Sequence, residues 1–467
     1  MGDFVLKGGT VVTAGSLFSA DVAVKGEKVA ALGDIPGEEN VLDVRGKLVL
    51  PGALDAHVHF HLPIGGGTYS ADDFATGGRS AALGGVTTVF DFVHAGPGEE
   101  PLAALQARMA EARECPVDYG LFYCISEHTP SMETAVPELI RTGIASFKIY
   151  TTYRPAGIYL DDGGCARLLR LCAEHGGMAS IHAENDTMIE AAIEEASENN
   201  ELSPPWHGKT RPPFTEGEAI RRMAYLAKKT GAIIHIMHVS SGEGLGEVIR
   251  AQQEGIALTA ETCPHYLLFD ESKLEGPDGC LYTMTPPLRT PRDQSLLWEG
   301  LVNDHLQFVT TDHCPFTRAQ KECSKDDFRK IPKGVGGVGT LVPLMYSEGT
   351  AMGRISIVKM VELLSENPAR RYGLWPWKGA LLPGSDADIT VLAPEDSWVV
   401  TKDETGSAAD YSIFSGMSLK GRIEQVYRRG SLLVDRGKYL PPASPGQFLP
   451  RRVMPGRTLK ACSTGAF

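Results

Sequence analysis

Six side chains in this sequence have the types and spacing to gather divalent cations. His57 and His59 stand two apart in Asp55-Ala56-His57-Val58-His59. On an extended strand, a period of two puts both imidazoles on one face, roughly 6.6 Å apart along the chain, near enough to converge on one ion. Asp55 shares that face but sits deeper, as a core or supporting partner. His182 closes the apolar run Met178–His182, His238 comes at the end of Ile233–Val239, and Asp312 closes Gln307–Asp312. His235, three residues before His238, falls on the opposite pleat face and reads as structural. Any one of these alone is more often a satisfied buried polar group than a ligand. Five of them at the ends of apolar runs make a site.

Four neutral imidazoles and one carboxylate carry little negative charge for two divalent cations. Lys148, in Ser146-Phe147-Lys148-Ile149-Tyr150, offers a remedy. Keeping an ammonium charged inside an apolar strand is costly, so its pKa falls and the neutral amine becomes nucleophilic. Reaction with CO₂ gives a carbamate, which bears one negative charge and can bridge two metals. The plain alternative is a lysine that snorkels past its strand end to water.

These side chains need a frame that brings strand ends together. Between Pro51 and about Trp375, apolar strands alternate with amphipathic helices, the pattern of βα units and a parallel sheet. Candidate strands are Ala53–His59, Val86–Val93, Asp118–Ser126, Ala145–Tyr150, Met178–His182, Ile233–Val239, Ile256–Thr262 and Gln307–Asp312. Eight such units predict a (β/α)₈ barrel of the TIM type, whose chemistry sits at the C-terminal ends of its strands. The competing open doubly wound sheet lacks a G-x-G-x-x-G after any strand. Both chain ends read instead as short strands with glycine-centred turns, such as Val22–Val24 and Val29–Leu32 around Lys25-Gly26-Glu27-Lys28, and Ile423–Tyr427 with Leu432–Val434. Neither piece can bury a core alone, so the two are expected to form one small β-sandwich. The predicted organisation is 1–51 and 376–440 for that sandwich, 52–375 for the barrel, and 441–467 for a Pro- and Gly-rich tail. The tail, with Arg451, Arg452, Arg457 and Lys460, reads either as solvated chain or as an arm on a neighbouring subunit.

Composition narrows the partners. The 467 residues are 42 % hydrophobic and 22 % charged, which permits a sizeable core. A net charge of −13 argues against a nucleic-acid or anionic-membrane partner. No apolar run reaches the roughly 18 residues needed to span a bilayer. The opening Met-Gly-Asp-Phe-Val-Leu shows no basic segment before an apolar one, and Leu6 breaks the myristoylation pattern. Nine cysteines without a C-x-x-C pair read as reduced, mostly buried thiols, so a cytoplasmic location is expected.

Pro51-Gly52-Ala53-Leu54-Asp55-Ala56-His57-Val58-His59 resembles the signature of the amidohydrolase superfamily. Ser146-Phe147-Lys148, His182-Ala183-Glu184-Asn185-Asp186, His238-Val239-Ser240-Ser241, Glu261-Thr262-Cys263-Pro264-His265-Tyr266, Thr285-Pro286-Pro287-Leu288-Arg289 and Asp312-His313-Cys314-Pro315-Phe316 are together similar to the hydantoinase/dihydropyrimidinase family of cyclic amidohydrolases. The resemblance runs from the first hairpin to about Tyr439 and is jointly very specific.

The resemblance implies a centre of two divalent metal ions, usually Zn²⁺. His57, His59 and Asp312 would hold one ion and His182 and His238 the other, with Lys148, as N6-carboxylysine, and a hydroxide bridging them. Asp312 would act as general base and acid, and Tyr153 as donor to the developing oxyanion. Thr285, where the family has Ser, and Lys333, where it usually has Asn, would meet the substrate. The implied reaction opens hydantoins or dihydropyrimidines to N-carbamoyl amino acids, in a homotetramer or dimer. The loops Leu62–Gly67 and Arg154–Tyr159 would surround the exocyclic group, and Leu62, Ile64, Tyr150, Ile158 and Tyr159 suggest tolerance of an apolar one.

Other readings stay open at this stage. Allantoinase is a near rival. Dihydroorotase ranks lower, because His61-Leu62-Pro63 offers no arginine for a substrate carboxylate. A scaffold of the same fold, as in the collapsin response mediator proteins, would have lost ligand positions that stand intact here. A mononuclear deaminase would have no use for Lys148.

Overall fold

Eight short segments pair side by side, each parallel to its neighbour and in sequence order, in a computed structural model that describes residues 3–37, 40–96, 98–126 and 131–451. They are β1 (Ala53–Asp55), β2 (Val86–Val93), β3 (Asp118–Cys124), β4 (Ser146–Tyr150), β5 (Met178–His182), β6 (Ile233–Ile236), β7 (Leu258–Thr262) and β8 (Phe308–Val309). Every residue of β2 to β5 is buried, as expected of parallel strands covered by helices on one side and packed on one another within. Phe90, Phe92, Phe122, Phe308, Met178 and Tyr372 fill the interior. The arrangement is the expected (β/α)₈ barrel.

Its last seam closes beyond the regular strands. Val58 and His313 form a parallel bridge, with His59 N donating to His313 O at 2.8 Å. Below it, the Asp55 carboxylate accepts from Thr311 N at 3.0 Å and from the Thr311 hydroxyl. Strands β1, β6 and β8 therefore end earlier than the sequence pattern suggests, at Asp55, Ile236 and Val309. The physical cause is visible at His238 and Asp312, whose φ angles of 38° and 46° are left-handed and break the pleat. That break also corrects the reading of His235. Alternation runs on through the inward-facing Met237 and breaks at the left-handed His238, so His235 and His238 both turn into the barrel, although three residues separate them.

The loops that leave the site are cut short by capped helices. Asn185 accepts from Met188 N and starts helix Asp186–Glu198; Ser241 accepts from Gly244 N and starts helix Gly242–Gln253.

The two chain ends build a single nine-stranded sheet. Leu48–Pro51 pairs antiparallel with Ile389–Val399, joining residues more than three hundred positions apart. Between this sheet and the barrel base lies a buried ion cluster: Lys378 Nζ sits 2.5 Å from Asp118, 2.9 Å from Asp386 and 2.8 Å from Asp388. Asp118 opens β3, so one ammonium ties the barrel to the sheet. Past Tyr439 the chain lies half-buried along the base of its own barrel, with Gly446 N on Cys115 O and Leu449 N on Tyr119 O. Arg451 ends that run against Ser146 and Arg371. Arg452, Arg457 and Lys460 lie outside the described residues. No described helix is long and apolar enough to cross a membrane.

Lys378→Met would leave three buried carboxylates without their common cation. Breaking such a cluster from one side costs about 3–5 kcal/mol. Urea denaturation of the variant is expected to show a loss of that size, and a loss below about 1 kcal/mol would contradict a joining role.

Candidate metal centre and its cavity

Closure of the barrel brings the first and last strand ends to one point. His57 Nε2 and His59 Nε2 lie 3.2 Å apart, and Asp312 Oδ1 is 3.1 Å from the first and 3.2 Å from the second. His57 Nδ1 faces Glu261 Oε1 at 2.7 Å, so its proton belongs on that nitrogen and its Nε2 is bare. The other Glu261 oxygen meets His235 Nε2 at 3.0 Å, and His235 Nδ1 meets Thr259. Glu261 thus runs a fixed line from the barrel interior to His57.

The second group forms around β5 and β6. The rings of His182 and His238 are 4.5 Å apart, and the ring of His57 is 5.3 Å from that of His238. His182 Nε2 donates to Glu184 Oε2 at 2.7 Å, which leaves Nδ1 with its lone pair free. Arg211 holds the same Glu184 oxygen at 2.8 Å. Burial raises the Glu184 carboxyl, but the Arg211 charge and the His182 bond outweigh it and bring it down to about 2.

Lys148 is 1 % exposed and does not reach solvent, which removes the snorkelling alternative. Its Nζ lies 2.8 Å from Met237 Sδ and over the rings of Phe92 and Tyr150, at 5.3 and 4.8 Å. Burial pulls the amine down to about 8, against the opposing charges of Asp312 and Glu261. Burial likewise drives His57 and His238 well below the usual imidazole range, with the Lys148 charge adding to it. Both rings are therefore neutral, the form that binds a metal.

These residues fit a pair of cations. Two imidazole nitrogens and a carboxylate oxygen converge within 3.2 Å, an arrangement of lone pairs that favours a positive ion between them. His59 Nδ1 and His238 Nδ1 are buried without a hydrogen-bond partner. His57, His238 and Asp312 also offer ligand atoms all within 4.8 Å of one another.

A cavity of about 800 Å³ opens above the cluster and is lined by His59, Lys148, Tyr153, His182, His238 and Asp312. Tyr153 holds a left-handed φ of 72°, a strained setting for a tyrosine. Its ring lies 5.4 Å from that of His182, and its phenol bonds to the Thr285 side chain. Thr285 and Lys333 both line the cavity, as do Leu62, Pro63, Ile64 and Ile158. Tyr159 does not; the Arg154 guanidinium covers it at 4.1 Å.

All the candidate ligands therefore meet at one end of the barrel. Glu184, Arg211, Glu261 and the cavity-lining His94, whose Nε2 lies 3.5 Å from Cys124 Sγ, had no assigned role in the sequence reading. Glu261 carries a usable signal, an acid inside the otherwise uncharged strand β7, the same signal that singles out Lys148. Arg211 carries none, since it lies between helices and reaches Glu184 only through the fold.

A model of the amidohydrolase family matches residues 48–433. A D-hydantoinase of Streptomyces coelicolor is 38 % identical over 458 residues, covering 96 % of this chain and 97 % of the relative. A D-phenylhydantoinase of Escherichia coli is 36 % identical over 457 residues, 96 % of this chain and 98 % of the relative. The crystal structure of a dihydropyrimidinase from Brevibacillus agri superimposes with a TM-score of 0.95 at 33 % identity, covering 97 % of this chain and all of the other.

Burial raises the Glu261 carboxyl to about 8; Glu261→Gln keeps the volume of the side chain and replaces one of the two oxygens that meet His57 and His235 with an NH₂ donor. Losses of this kind typically weaken metal affinity about 10- to 100-fold. Metal content after dialysis against graded chelator is expected to fall at correspondingly lower chelator concentrations than in the unaltered protein; coincident curves would leave Glu261 a packing residue.

Proposed function

Because this chain belongs to the amidohydrolase family, and within it is a cyclic amidohydrolase of the hydantoinase/dihydropyrimidinase group, we propose that it opens hydantoin or dihydropyrimidine rings to N-carbamoyl amino acids at a two-metal centre. The observation that carries this reading is the convergence of His57, His59 and Asp312 at the floor of a cavity that Lys148 and Tyr153 also enter.

In this reading His57, His59 and Asp312 would hold one ion, and His182 and His238 the other. Burial brings the inward amine of Lys148 down to about 8, so its neutral form is within reach near neutral pH; that form would add to CO₂, forming an N–C bond and releasing one proton, and the resulting carbamate would supply negative charge to the ions. When bound, a pair of divalent ions makes water a nucleophile near neutral pH and polarises a carbonyl. Zn²⁺ suits a site of imidazole and carboxylate donors.

The chain's own groups do the rest. Asp312, whose carboxylate faces the cavity, accepts the proton released as water adds to the ring carbonyl. It returns that proton to the ring nitrogen as the C–N bond breaks, leaving a ureido group and a carboxylic acid that ionises by releasing its proton to water. The Tyr153 phenol donates to the carbonyl oxygen as negative charge builds there. Burial raises its pKa, which keeps the phenol protonated and able to donate. Glu184 and Glu261 hold the imidazoles of His182 and His57 in one orientation each. Thr285 fixes Tyr153 and, with Lys333, bounds the substrate. The apolar wall of Leu62, Ile64 and Ile158 takes a ring substituent and keeps water from it.

The direct test is a panel of hydantoins, dihydrouracil and allantoin, assayed for ring opening with zinc or manganese present. Turnover of a hydantoin or of dihydrouracil supports the proposal; turnover of allantoin alone redirects it, and near-zero metal with no turnover favours a scaffold. Tyr153→Phe is expected to lower kcat about 10²- to 10³-fold with metal content unchanged. An unaltered kcat removes the phenol from the reaction. Lys148→Ala is expected to lose metal and turnover together, and a variant that keeps both would defeat the carbamate.

A further inference from the structure

One part of the cavity wall is cationic. Arg211, Arg329, Lys330 and Lys333 line it, against Glu190. Arg329 and Lys330 are both held by Asp327, at 2.8 and 3.1 Å. Lys333 has no carboxylate within salt-bridge distance among the described residues. Its Nζ is held by two backbone carbonyls, Phe328 O at 2.5 Å and Arg329 O at 3.1 Å. An ammonium has three protons to donate, so one is left over. Arg211 pairs with Glu184 through Nη1, while its Nε is buried with no hydrogen-bond partner. Burial, and after it the Arg211 charge, disfavour the charged form of Lys333 and bring its amine down to about 7. Two neighbouring cations with unused donors, both facing a substrate cavity, constitute a site lacking its anion.

We infer that Lys333 and Arg211 form an anion subsite that selects cyclic ureides whose ring substituent ends in a carboxylate. This rests on the ring-opening reading above and adds the class of substituent. The carboxylate accepts the third Lys333 proton and lies beside the Arg211 guanidinium, and its charge offsets the repulsion between the two side chains. Arg211 lies 5.3 Å from the ring of Tyr153, so a group held there is anchored beside the reacting carbonyl. The apolar wall accommodates the methylene arm that carries it. Lys333 is a specificity residue in this arrangement, since it touches the substituent and not the reacting atoms.

The test compares two rings of one shape and different charge. A carboxyethyl-substituted hydantoin and its neutral isostere with an isopentyl arm are assayed on the holoenzyme and on Lys333→Met and Lys333→Arg. A charge-assisted hydrogen bond corresponds to about a ten- to hundredfold preference, so kcat/KM is expected to favour the carboxylate by that factor in the unaltered protein. Lys333→Met is expected to bring the ratio near one and Lys333→Arg to retain most of it. A purely structural role for Lys333 would depress both substrates alike and leave the ratio unmoved. A starting ratio at or below one, or one that survives Lys333→Met, overturns the subsite. Calorimetric binding of the two corresponding N-carbamoyl products gives the same comparison without turnover. If neither ring opens, the reaction assignment fails, while the binding preference still decides the subsite.

Discussion

The seam between the first and last barrel strands is the constraint on which the site depends. Parallel strands in a ring need one pairing that joins the two ends of the barrel sequence, here residues more than two hundred and fifty positions apart. Asp55 makes it by accepting from the Thr311 amide and hydroxyl, and the His59–His313 backbone bond continues it one step higher. Asp312 lies between those two ties. Its left-handed backbone turns the carboxylate across the seam towards His57 and His59 instead of along the strand. The same bonds that close the fold therefore assemble the first ligand group.

Burial sets the electrical character of that group. Taking imidazoles and an amine out of water favours their neutral forms, which are the nucleophilic and metal-binding forms. Left alone, such a cluster of buried polar groups would be unstable, and the structure answers with a surrounding layer of carboxyl groups. Glu261 joins His57 to His235, and Glu184 joins His182 to Arg211. Each link fixes a ring and leaves one nitrogen directed elsewhere. The same device serves at the opposite end of the barrel, where Lys378 gathers three aspartates to hold the terminal sheet. One end of the barrel is thus electrically complete, and the other has donors to spare.

Much of this was legible in the sequence. A lysine in an apolar strand and four histidines at strand ends are costly there, so their presence is informative in itself. Eight apolar segments separated by amphipathic ones leave few alternatives to a barrel. The strand ends were less legible. Val58–His59 and Val239 look like continuations of strands, yet those strands stop at Asp55 and Ile236, because backbone angles set by the neighbouring seam override local β preference. His235 is structural, as its sequence reading has it, but it lies on the same inward side as His238, because alternation does not carry past the point where the pleat breaks. The terminal segment showed the opposite difficulty: a Pro- and Gly-rich stretch reads as open chain, yet up to Arg451 it finds backbone partners along its own barrel base.

What the sequence determined by itself is the inventory: which residues could bind a cation, which could react, and which periodic segments could carry them. Those are properties of side-chain chemistry and short-range pattern. Only the tertiary structure decided which partner each of them meets. Glu184 finding Arg211, Glu261 finding both His57 and His235, and Lys333 facing a cavity without a counter-charge all join positions remote in the chain. Such meetings depend on how far each strand is offset from the next around the ring, and no local propensity encodes that offset.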